Sequence, residues 1–263
     1  MTALAFAERA LSNITGESRA EARIIVSDLT GVPLDRLGIL RPKLTEELRA
    51  KITEIAKRRA EAEPLQYILG RWEFMGLPFY CRPCALIPRQ DTETLVEEAL
   101  RLGGRTALDL CCGTGCIGVS LARLGNMRVT LADISPECIA LSRENARLNN
   151  ILGNFLVSDM FQSIEMCYDI ICINPPYIPT GELASLQREV KREPVLALDG
   201  GEDGLGFYRR IASEYTAYLN PGGALLMEVG AGQARAVAEM FPAAETVADL
   251  AHIRRVVTVR APQ

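Results

Sequence analysis

From about residue 92 onward, short apolar runs alternate with helical segments, and this alternation constrains the fold more than any other feature. The apolar runs are rich in β-branched residues and nearly uncharged; they span 106–110, 129–133, 155–157, 168–173 and 224–229. Helical segments are predicted at 94–102, between a glycine turn and residue 124, after Ser135-Pro136, and near 206–219. Strands that alternate with helices in this way form a parallel sheet that helices cover on both faces. The sequence therefore predicts an α/β fold.

Residues 1–71 carry a different pattern and are expected to form a small helical domain. Ser18-Arg19-Ala20-Glu21 has the residue types of a capping box and precedes apolar residues at helical spacing. Thr45 is followed by two glutamates and predicts the N-cap of another helix. Residues 72–91 are rich in aromatic residues, glycine and proline, which indicates a β-hairpin linker ahead of an α/β domain over 92–263.

The composition excludes several classes of function. A net charge of −4 argues against binding nucleic acid mainly through its phosphates. No apolar run approaches the ~20 residues that a membrane span needs, and Glu8 interrupts the N-terminus too early for a signal peptide. We therefore expect a cytoplasmic protein that engages neither membrane nor nucleic acid, and we expect it to be a monomer.

The eight cysteines do not have the spacing of a metal site. Cys81 and Cys84 form a single C-x-x-C pair, whereas a structural zinc site needs a second pair or histidines at fixed spacing. The one histidine, His252, also argues against a histidine-centred catalytic triad. We expect no metal, and we expect most cysteines to be small buried apolar residues in a reducing compartment.

The run at 168–173 ends in Asn174-Pro175-Pro176-Tyr177, a motif whose geometry suits the binding of an –NH2 group. The prolines cannot donate to a sheet and fix their own φ at about −65°, and a residue before proline is extended. The Asn174 side-chain oxygen and the Pro175 carbonyl can each accept one hydrogen of a planar –NH2 group. A Pro-Pro turn that merely ends a strand is the alternative for this motif taken alone.

A glycine-rich turn follows the first predicted strand of the α/β domain. Gly113-Thr114-Gly115-Cys116-Ile117-Gly118 opens a helix, and Asp133 ends the next strand, 18 residues beyond Gly115. Glycines let the backbone approach a ligand closely, and a carboxylate at that strand end can accept hydrogen bonds from both ribose hydroxyls. These residues fit NAD, FAD or S-adenosylmethionine equally, and by themselves they favour a nicotinamide enzyme.

Polar side chains follow further strand ends. Asp159 could accept the amino group of adenine while Met160 or Phe161 packs on the ring, although an Asp here also suits a helix N-cap. Ligands of open α/β sheets lie outside the carboxyl ends of the strands, near the point where strand order reverses. The residues at or near such ends are Asp109, Gly113, Asp133, Asp159 and Asn174. Their convergence predicts a single ligand site.

With these motifs the sequence resembles the class I S-adenosylmethionine methyltransferases, and within them the N5-glutamine methyltransferases of peptide chain release factors, the PrmC/HemK family. The resemblance covers nearly the whole chain. Besides Asn174-Pro175-Pro176-Tyr177 it rests on residues 64–70 (PLQYILG), 86–93 (LIPRQDTE), 193–194 (EP), 200–205 (GGEDGL) and 254–257 (RRVV). The Asn-Pro-Pro-Tyr motif alone is shared with methylases of exocyclic amines in nucleic-acid bases; the segments at 86–93 and 200–205 are more specific to the release-factor enzymes.

The resemblance implies a Rossmann-like methyltransferase sheet, S-adenosylmethionine as methyl donor without a metal, and transfer to the glutamine nitrogen of the Gly-Gly-Gln motif in release factors. The cofactor contacts that it implies are Cys111, Cys112, Gly113, Thr114, Gly115, Asp133, Asp159, Met160 and Asn174. It implies that Asn174, Pro175, Pro176 and Tyr177 hold the glutamine, and that Asn174, Pro175 and Tyr177 are catalytic. The N-terminal helical domain is expected to help seat the protein substrate.

Two positions depart from the family pattern, which often has glycine where Cys111 stands and proline where Gln90 stands. Cys111 adjoins the cofactor turn and could alter cofactor affinity. Gln90 lies in the linker, so its departure has little bearing on the function that the resemblance implies.

Three alternative functions stay open at this point. The first is an adenine-N6 or other exocyclic-amine methyltransferase that acts on DNA or RNA with the same motif. The second is a non-catalytic cofactor-binding protein of the translation machinery, and the third is a nicotinamide oxidoreductase.

Overall fold

The computed structural model describes residues 1–262 and contains two compact units. The first unit consists of Met1–Gly70 together with Arg188–Arg192, and the second consists of the remaining described residues. Within the described part of the chain, no helix has the length and apolar character needed to cross a membrane.

The first unit is helical, as its sequence predicts. Its helices are α1 (Ala3–Leu11), α2 (Ser18–Thr30), α3 (Leu37–Leu40), α4 (Glu46–Ala60) and α5 (Leu65–Leu69). Leu11 of α1, Ile25 of α2 and Ile52 of α4 are buried in a shared apolar core. Thr45 is the N-cap of α4, as predicted, because its Oγ1 accepts a hydrogen bond from the Leu48 N–H at 3.2 Å.

The capping box predicted at Ser18 is wrong. Helix α2 begins at Ser18 itself, and Glu17 is the N-cap without a side-chain hydrogen bond. The Thr15 Oγ1 accepts the Glu17 N–H at 3.1 Å. Because this local turn already places Ser18 inside the helix, its hydroxyl lies one position past the site from which a side chain can cap.

A buried ion-pair cluster joins Arg188–Arg192 to the rest of the first unit. The side chain of Arg59 is 1% exposed, and its guanidinium contacts Glu21 at 2.7 Å and Glu189 at 2.9 Å. A buried guanidinium needs such partners, because an unpaired charge out of water is strongly destabilising.

The second unit begins with an antiparallel hairpin, as predicted for the linker segment. Strands β1 (Arg71–Phe74) and β2 (Leu77–Tyr80) form it, and the chain turns at Met75 and Gly76 with positive φ. The elements that follow are α6 (Glu93–Leu102), β3 (Thr106–Leu110), α7 (Cys116–Gly125), β4 (Arg128–Asp133), α8 (Pro136–Leu148), β5 (Gly153–Val157), β6 (Tyr168–Ile173), α9 (Gly206–Glu214), β7 (Leu219–Glu228), α10 (Ala234–Ala238), β8 (Glu245–Ala248) and β9 (Arg254–Arg260).

The sheet of the second unit has the strand order β5-β4-β3-β6-β7-β9-β8. Strands β5, β4, β3, β6 and β7 run parallel, as the alternation of strands and helices predicts. Strand β9 is antiparallel to both β7 and β8, and this antiparallel edge was not predicted from the sequence. Strand β7 also begins at Leu219 rather than near residue 224, because Leu219 pairs with Tyr168 across an irregular register.

Successive residues of the central strands enter two different apolar cores, which confirms that helices cover both faces of the sheet. Ala107 of β3 packs with helices α6, α7 and α8, whereas Leu108 packs with α9 and α10. Strand β6 alternates in the same way, with Cys172 in the first core and Ile173 in the second. A strand buried on both faces needs apolar residues at every position, which is the pattern of these runs in the sequence.

The order of the strands reverses next to β3, and this reversal positions the candidate site. The chain proceeds from β3 to β4 and β5 on one side, then crosses to β6 and β7 on the other. Neighbouring helices leave in opposite directions at such a point and open a crevice at the carboxyl ends of the strands.

The glycine turn after β3 packs too closely against its neighbours to accept a side chain at Gly115. Its φ is +77°, and a Cβ there would lie 2.8 Å from Ser142 Cβ and 2.9 Å from Leu131 Cδ2. We predict that Gly115→Ala lowers the free energy of unfolding in urea by ~2 kcal/mol or more, because a strained φ and overpacking add. Gly181, where no described atom lies within 4 Å of an added Cβ, supplies the control variant Gly181→Ala. An equal loss in both variants would contradict the close packing.

Candidate active site

One pocket lies at the carboxyl ends of β3, β4 and β6, and its walls come from the second unit. The sequence-predicted site residues that line it are Cys111, Cys112, Gly113, Thr114, Asp133, Asp159, Met160, Asn174 and Pro176. The predicted residues Gly115, Pro175 and Tyr177 are not in the lining. Further lining residues that the site prediction did not include are, among others, Leu86, Ile87, Pro88, Arg89, Thr92, Ile134, Phe207 and Arg210.

Asp133 fixes the glycine turn while it faces the pocket. Its Oδ2 accepts the Gly113 N–H at 2.9 Å, and its Oδ1 accepts the Ser135 N–H at 2.9 Å. Burial raises the pKa of Asp133, and these backbone N–H groups oppose that shift. The Ile134 N–H opposes the shift as well. Since a carboxylate has about four lone-pair sites, one remains to accept a hydrogen bond from a ligand.

Cys111 occupies a backbone conformation that favours glycine. Its φ is +60°, so the glycine that the family often has at this position would be unstrained, whereas an L-residue costs about 1–2 kcal/mol. The Cys111 Sγ lies 3.8 Å from the Met160 Sδ, and Met160 also has a positive φ, of +51°. Burial raises the pKa of the Cys111 thiol, so it stays protonated and packs as an apolar group.

Asp109 lies beneath the turn and does not line the pocket. It is fully buried, and its Oδ2 accepts the Gly118 N–H from α7 at 2.8 Å. Its Oδ1 has no hydrogen-bond partner among the described residues. Burial raises the pKa of Asp109 to about 7, with the Asp133 charge adding to the shift. Asp109 therefore positions the start of α7 rather than a ligand.

Asp159 is held by a partner that the sequence analysis missed. Arg210 in α9 donates from Nη1 to the Asp159 Oδ1 at 2.5 Å and from Nη2 to the Asp159 carbonyl at 3.0 Å. Of the two side chains considered for packing on adenine, Met160 lines the pocket, whereas Phe161 stacks on Tyr218 in the core with ring centroids 4.7 Å apart. Nothing in the local sequence distinguishes Arg210, because its contact with Asp159 spans 51 residues.

The Asn-Pro-Pro-Tyr motif forms a braced corner after β6. The Asn174 Nδ2 donates to the Thr92 Oγ1 at 3.4 Å, and both prolines are buried. The Tyr177 hydroxyl donates to the Glu228 Oε1 at 3.4 Å, and burial raises the pKa of that hydroxyl. The Tyr177 carbonyl accepts the Gln233 Nε2 at 2.9 Å. The corner is therefore fixed at both ends by side chains from other elements.

The segment 200–205 (GGEDGL) packs directly on this corner, and this contact explains why it begins with glycine. A Cβ on Gly200 would lie 2.7 Å from the Tyr177 Cα and 2.9 Å from the Pro176 carbonyl oxygen. The Gly200 N–H donates to the Ile178 carbonyl at 2.8 Å. Only a residue without a side chain allows this approach.

Two further segments of the resemblance meet at the pocket wall. Glu193 is buried, accepts the Ile87 N–H at 3.0 Å and forms an ion pair with Arg89. Burial raises the pKa of Glu193, and the Arg89 charge opposes the shift. The pair fixes the chain on both sides of Pro88, and Ile87, Pro88 and Arg89 all line the pocket.

The residues present fit the adenosyl group predicted from the sequence. Asp133 offers an acceptor for a ribose hydroxyl, and the glycine turn exposes backbone at the same edge. Leu86, Ile134 and Phe207 supply apolar surface for a purine ring. No group of three or more His, Cys, Asp or Glu that could hold a metal occurs in the described residues.

Two protein-family models match separate parts of the chain. A family model described as Methyltransferase small domain matches residues 90–192, and one described as PrmC N-terminal domain matches residues 2–70.

Curated relatives match the chain over most of its length. A release factor glutamine methyltransferase of Geobacter sulfurreducens is 45% identical over 244 residues, which cover 89% of this chain and 84% of the relative. One of Thermodesulfovibrio yellowstonii is 37% identical over 255 residues, which cover 91% of each chain.

Solved structures share the fold at low sequence identity. A methyltransferase from Pyrococcus furiosus has a TM-score of 0.58 at 18% identity, covering 83% of this chain and 100% of that one. A T. Thermophilus 16S rRNA N2 G1207 methyltransferase (RsmC), in complex with AdoMet and guanosine, has a TM-score of 0.54 at 20% identity. The match covers 73% of this chain and 49% of that one. At this identity the likeness supports the Rossmann-like methyltransferase fold.

The buried Asp109 makes stability depend on pH in a defined direction. Its pKa is about 4 in an unfolded chain and about 7 in the fold, so the folded protein retains a proton that the unfolded chain releases. Raising the pH from about 4 to about 7 therefore lowers the free energy of unfolding. In Asp109→Asn this contribution is absent, so the stability of the variant relative to wild type rises across that window and is constant above it. A difference that does not change with pH would contradict the assignment.

Proposed function

The chain belongs to the family of release factor glutamine methyltransferases, and we propose that its pocket holds S-adenosylmethionine beside the carboxamide of a release-factor glutamine. The single observation that carries this proposal is the shared pocket: Asp133, the glycine turn and Asn174 line one cavity at the strand-order reversal. One cavity that offers a ribose-binding carboxylate and an amide-binding side chain suits methyl transfer between two bound molecules.

The cofactor-binding role falls to the residues around the first two strand ends. Asp133 would accept a ribose hydroxyl, and Cys111, Cys112, Gly113 and Thr114 would present backbone to the ligand. Gly115 lies outside the lining and gives the turn its close packing. Met160 would pack on the adenine ring, and Asp159, with one oxygen on Arg210, would use its other oxygen for the adenine amino group. When bound, S-adenosylmethionine supplies a methyl group already activated by its sulfonium.

Asn174 and Pro175 would act on the glutamine nitrogen. The lone pair of an amide nitrogen is delocalised into its carbonyl, so the nitrogen is a poor nucleophile. If the Asn174 Oδ1 and the Pro175 carbonyl accept its two N–H groups, electron density on nitrogen rises and its lone pair is aimed at the methyl carbon. Positive charge develops on nitrogen during the transfer, so these acceptors bind the transition state more strongly than the ground state.

The remaining steps need little further chemistry from the protein. Pro176 and Tyr177 would complete the corner around the amide and exclude water from it. No general base is required, because the methylated amide nitrogen is strongly acidic and would release its one excess proton to solvent as the product leaves the corner. Orientation of the two reactants can contribute up to ~7–11 kcal/mol.

The protein substrate would be a release factor, with the glutamine of its Gly-Gly-Gln motif as methyl acceptor. The match to the PrmC N-terminal domain supports the helical first unit as the part that seats this partner. We propose that the chain acts in the cytoplasm as a monomer without nucleic acid or membrane. Mass spectrometry after incubation with release factor or with DNA and RNA tests this directly: a 14-Da gain on glutamine supports the proposal, and methylated adenine would replace it by the nucleic-acid alternative.

We predict that Asn174→Ala lowers turnover by about 10²–10³-fold, the scale of losing one transition-state hydrogen bond. Cofactor affinity should stay within about threefold of wild type, because Asp133 and the turn remain. Turnover is measured on a release factor and affinity by calorimetry with S-adenosylhomocysteine. Asn154→Ala, which changes an exposed asparagine of β5, is the control. Near-normal methylation by Asn174→Ala would reject its role.

We predict the opposite pattern for Asp133→Ala. This change should weaken cofactor binding by tenfold or more while the rate at saturating cofactor falls less, because uniform binding rather than transition-state binding is lost. Calorimetry measures the affinity, with Asp35→Ala, an exposed aspartate of the first unit, as control. Unchanged affinity would remove Asp133 from the ribose.

A further inference from the structure

Thr92 lies at the centre of a hydrogen-bond chain that reaches the amide-binding corner. It is 2% exposed and ends the 3-10 turn before α6. Its Oγ1 accepts the Asn174 Nδ2 at 3.4 Å. The same hydroxyl lowers the pKa of the buried Glu228 carboxyl, as a hydrogen bond donated to it does. The Tyr177 hydroxyl donates to the Glu228 Oε1 at 3.4 Å. Four side chains from three separate parts of the sequence thus form one connected group.

The chemistry of these groups gives the chain a direction. An amide nitrogen can only donate, so the Thr92 oxygen must accept from Asn174. The single hydroxyl hydrogen of Thr92 is then directed at the Glu228 carboxylate, which accepts it. Nitrogen and oxygen lie on opposite sides of an amide, so holding Nδ2 on Thr92 leaves Oδ1 for a ligand in the pocket.

Glu228 is placed at a cost that this role explains. It is 2% exposed, and its Oε2 has no hydrogen-bond partner among the described residues. The nearby Arg255 pairs with Asp91 at 2.8 Å and Asp249 at 3.3 Å rather than with Glu228. Burying a carboxyl group without full pairing is unfavourable, and an apolar side chain of similar volume would stabilise this core better.

We propose that Thr92 and Glu228 are positioning residues for methyl transfer: they hold the Asn174 amide in the orientation that presents Oδ1 to the glutamine N–H. The inference rests on the proposed function, since it concerns how Asn174 performs it. Without this restraint the Asn174 amide can rotate and turn Nδ2 toward the glutamine –NH2 group. Two donors then face each other, and the hydrogen bond that strengthens in the transition state is lost.

The first test compares two substitutions of Thr92. Thr92→Val removes the hydroxyl at nearly constant shape, and Thr92→Ser keeps it. We expect Thr92→Val to lower kcat for release-factor methylation about 10- to 100-fold, the scale of removing an orienting outer partner. The KM and the Kd for S-adenosylmethionine should change less than threefold, and Thr92→Ser should retain most of the rate. Circular dichroism and urea unfolding establish that each variant is folded.

The second test separates positioning from a general structural role. Thr92→Val is combined with Asn174→Ala, and kcat is measured for both single variants and the double variant. If Thr92 acts through Asn174, the added Thr92→Val change costs nothing once Asn174 is alanine. If Thr92 only supports the fold, the two losses multiply. Glu228→Gln, whose amide can donate to Thr92 and reverse the direction of the chain, should also lower kcat with cofactor affinity unchanged.

The possible outcomes distinguish failure of the positioning role from failure of the proposed methyltransferase function. A wild-type rate in Thr92→Val, or losses that multiply in the double variant, overturns the positioning role while the methyltransferase function stands. A wild-type protein that does not methylate release-factor glutamine overturns both. Two results together support the inference. Thr92→Val lowers kcat whereas Thr92→Ser does not, and Thr92→Val causes no further loss when Asn174 is already alanine.

Discussion

The reversal of strand order beside β3 is the constraint on which the rest of the site depends. Because the chain goes from β3 to β4 on one side and to β6 on the other, the carboxyl ends of these strands border one crevice. The glycine turn, Asp133 and Asn174 follow or end those strands. A single topological feature therefore brings the proposed nucleoside-binding edge and the proposed amide-binding corner together, and this proximity is what transfer of a methyl group between two bound molecules requires.

Buried polar groups hold this arrangement in place. Asp109 binds the start of α7 from below, and Glu228 lies beneath Thr92 and Tyr177. Burial raises the pKa of Asp109 and of Glu228 to about 7, and each has one oxygen without a partner among the described residues. Apolar side chains in these positions would favour stability. The fold accepts this cost at two points around one pocket, the pattern expected where a fixed geometry matters more than maximal stability.

The sequence predicts the parts of the structure that depend on local pattern. Strand β6 ends where predicted because two prolines stop its pairing, and the apolar run of β3 matches its strand because both faces are buried. The residues that support the site were not predicted, since their contacts exist only in the folded chain: Thr92 and Asn174 are 82 residues apart. Glu228 did leave a signal, as the single charged residue at the end of the apolar run 224–227. The capping box failed because residue types alone do not fix where a helix begins.

The proposed methyl transfer requires that the corner after β6 holds a carboxamide opposite the methyl donor. A crystal structure of the whole chain with S-adenosylhomocysteine and a glutamine-containing release-factor peptide tests it most directly. We expect the carboxamide nitrogen at about 3 Å from both the Asn174 Oδ1 and the Pro175 carbonyl, with the cofactor methyl donor on the side of the nitrogen away from these acceptors. A carboxamide bound elsewhere, or an Asn174 that turns its nitrogen toward the substrate, would show that this corner does not bind the methyl acceptor.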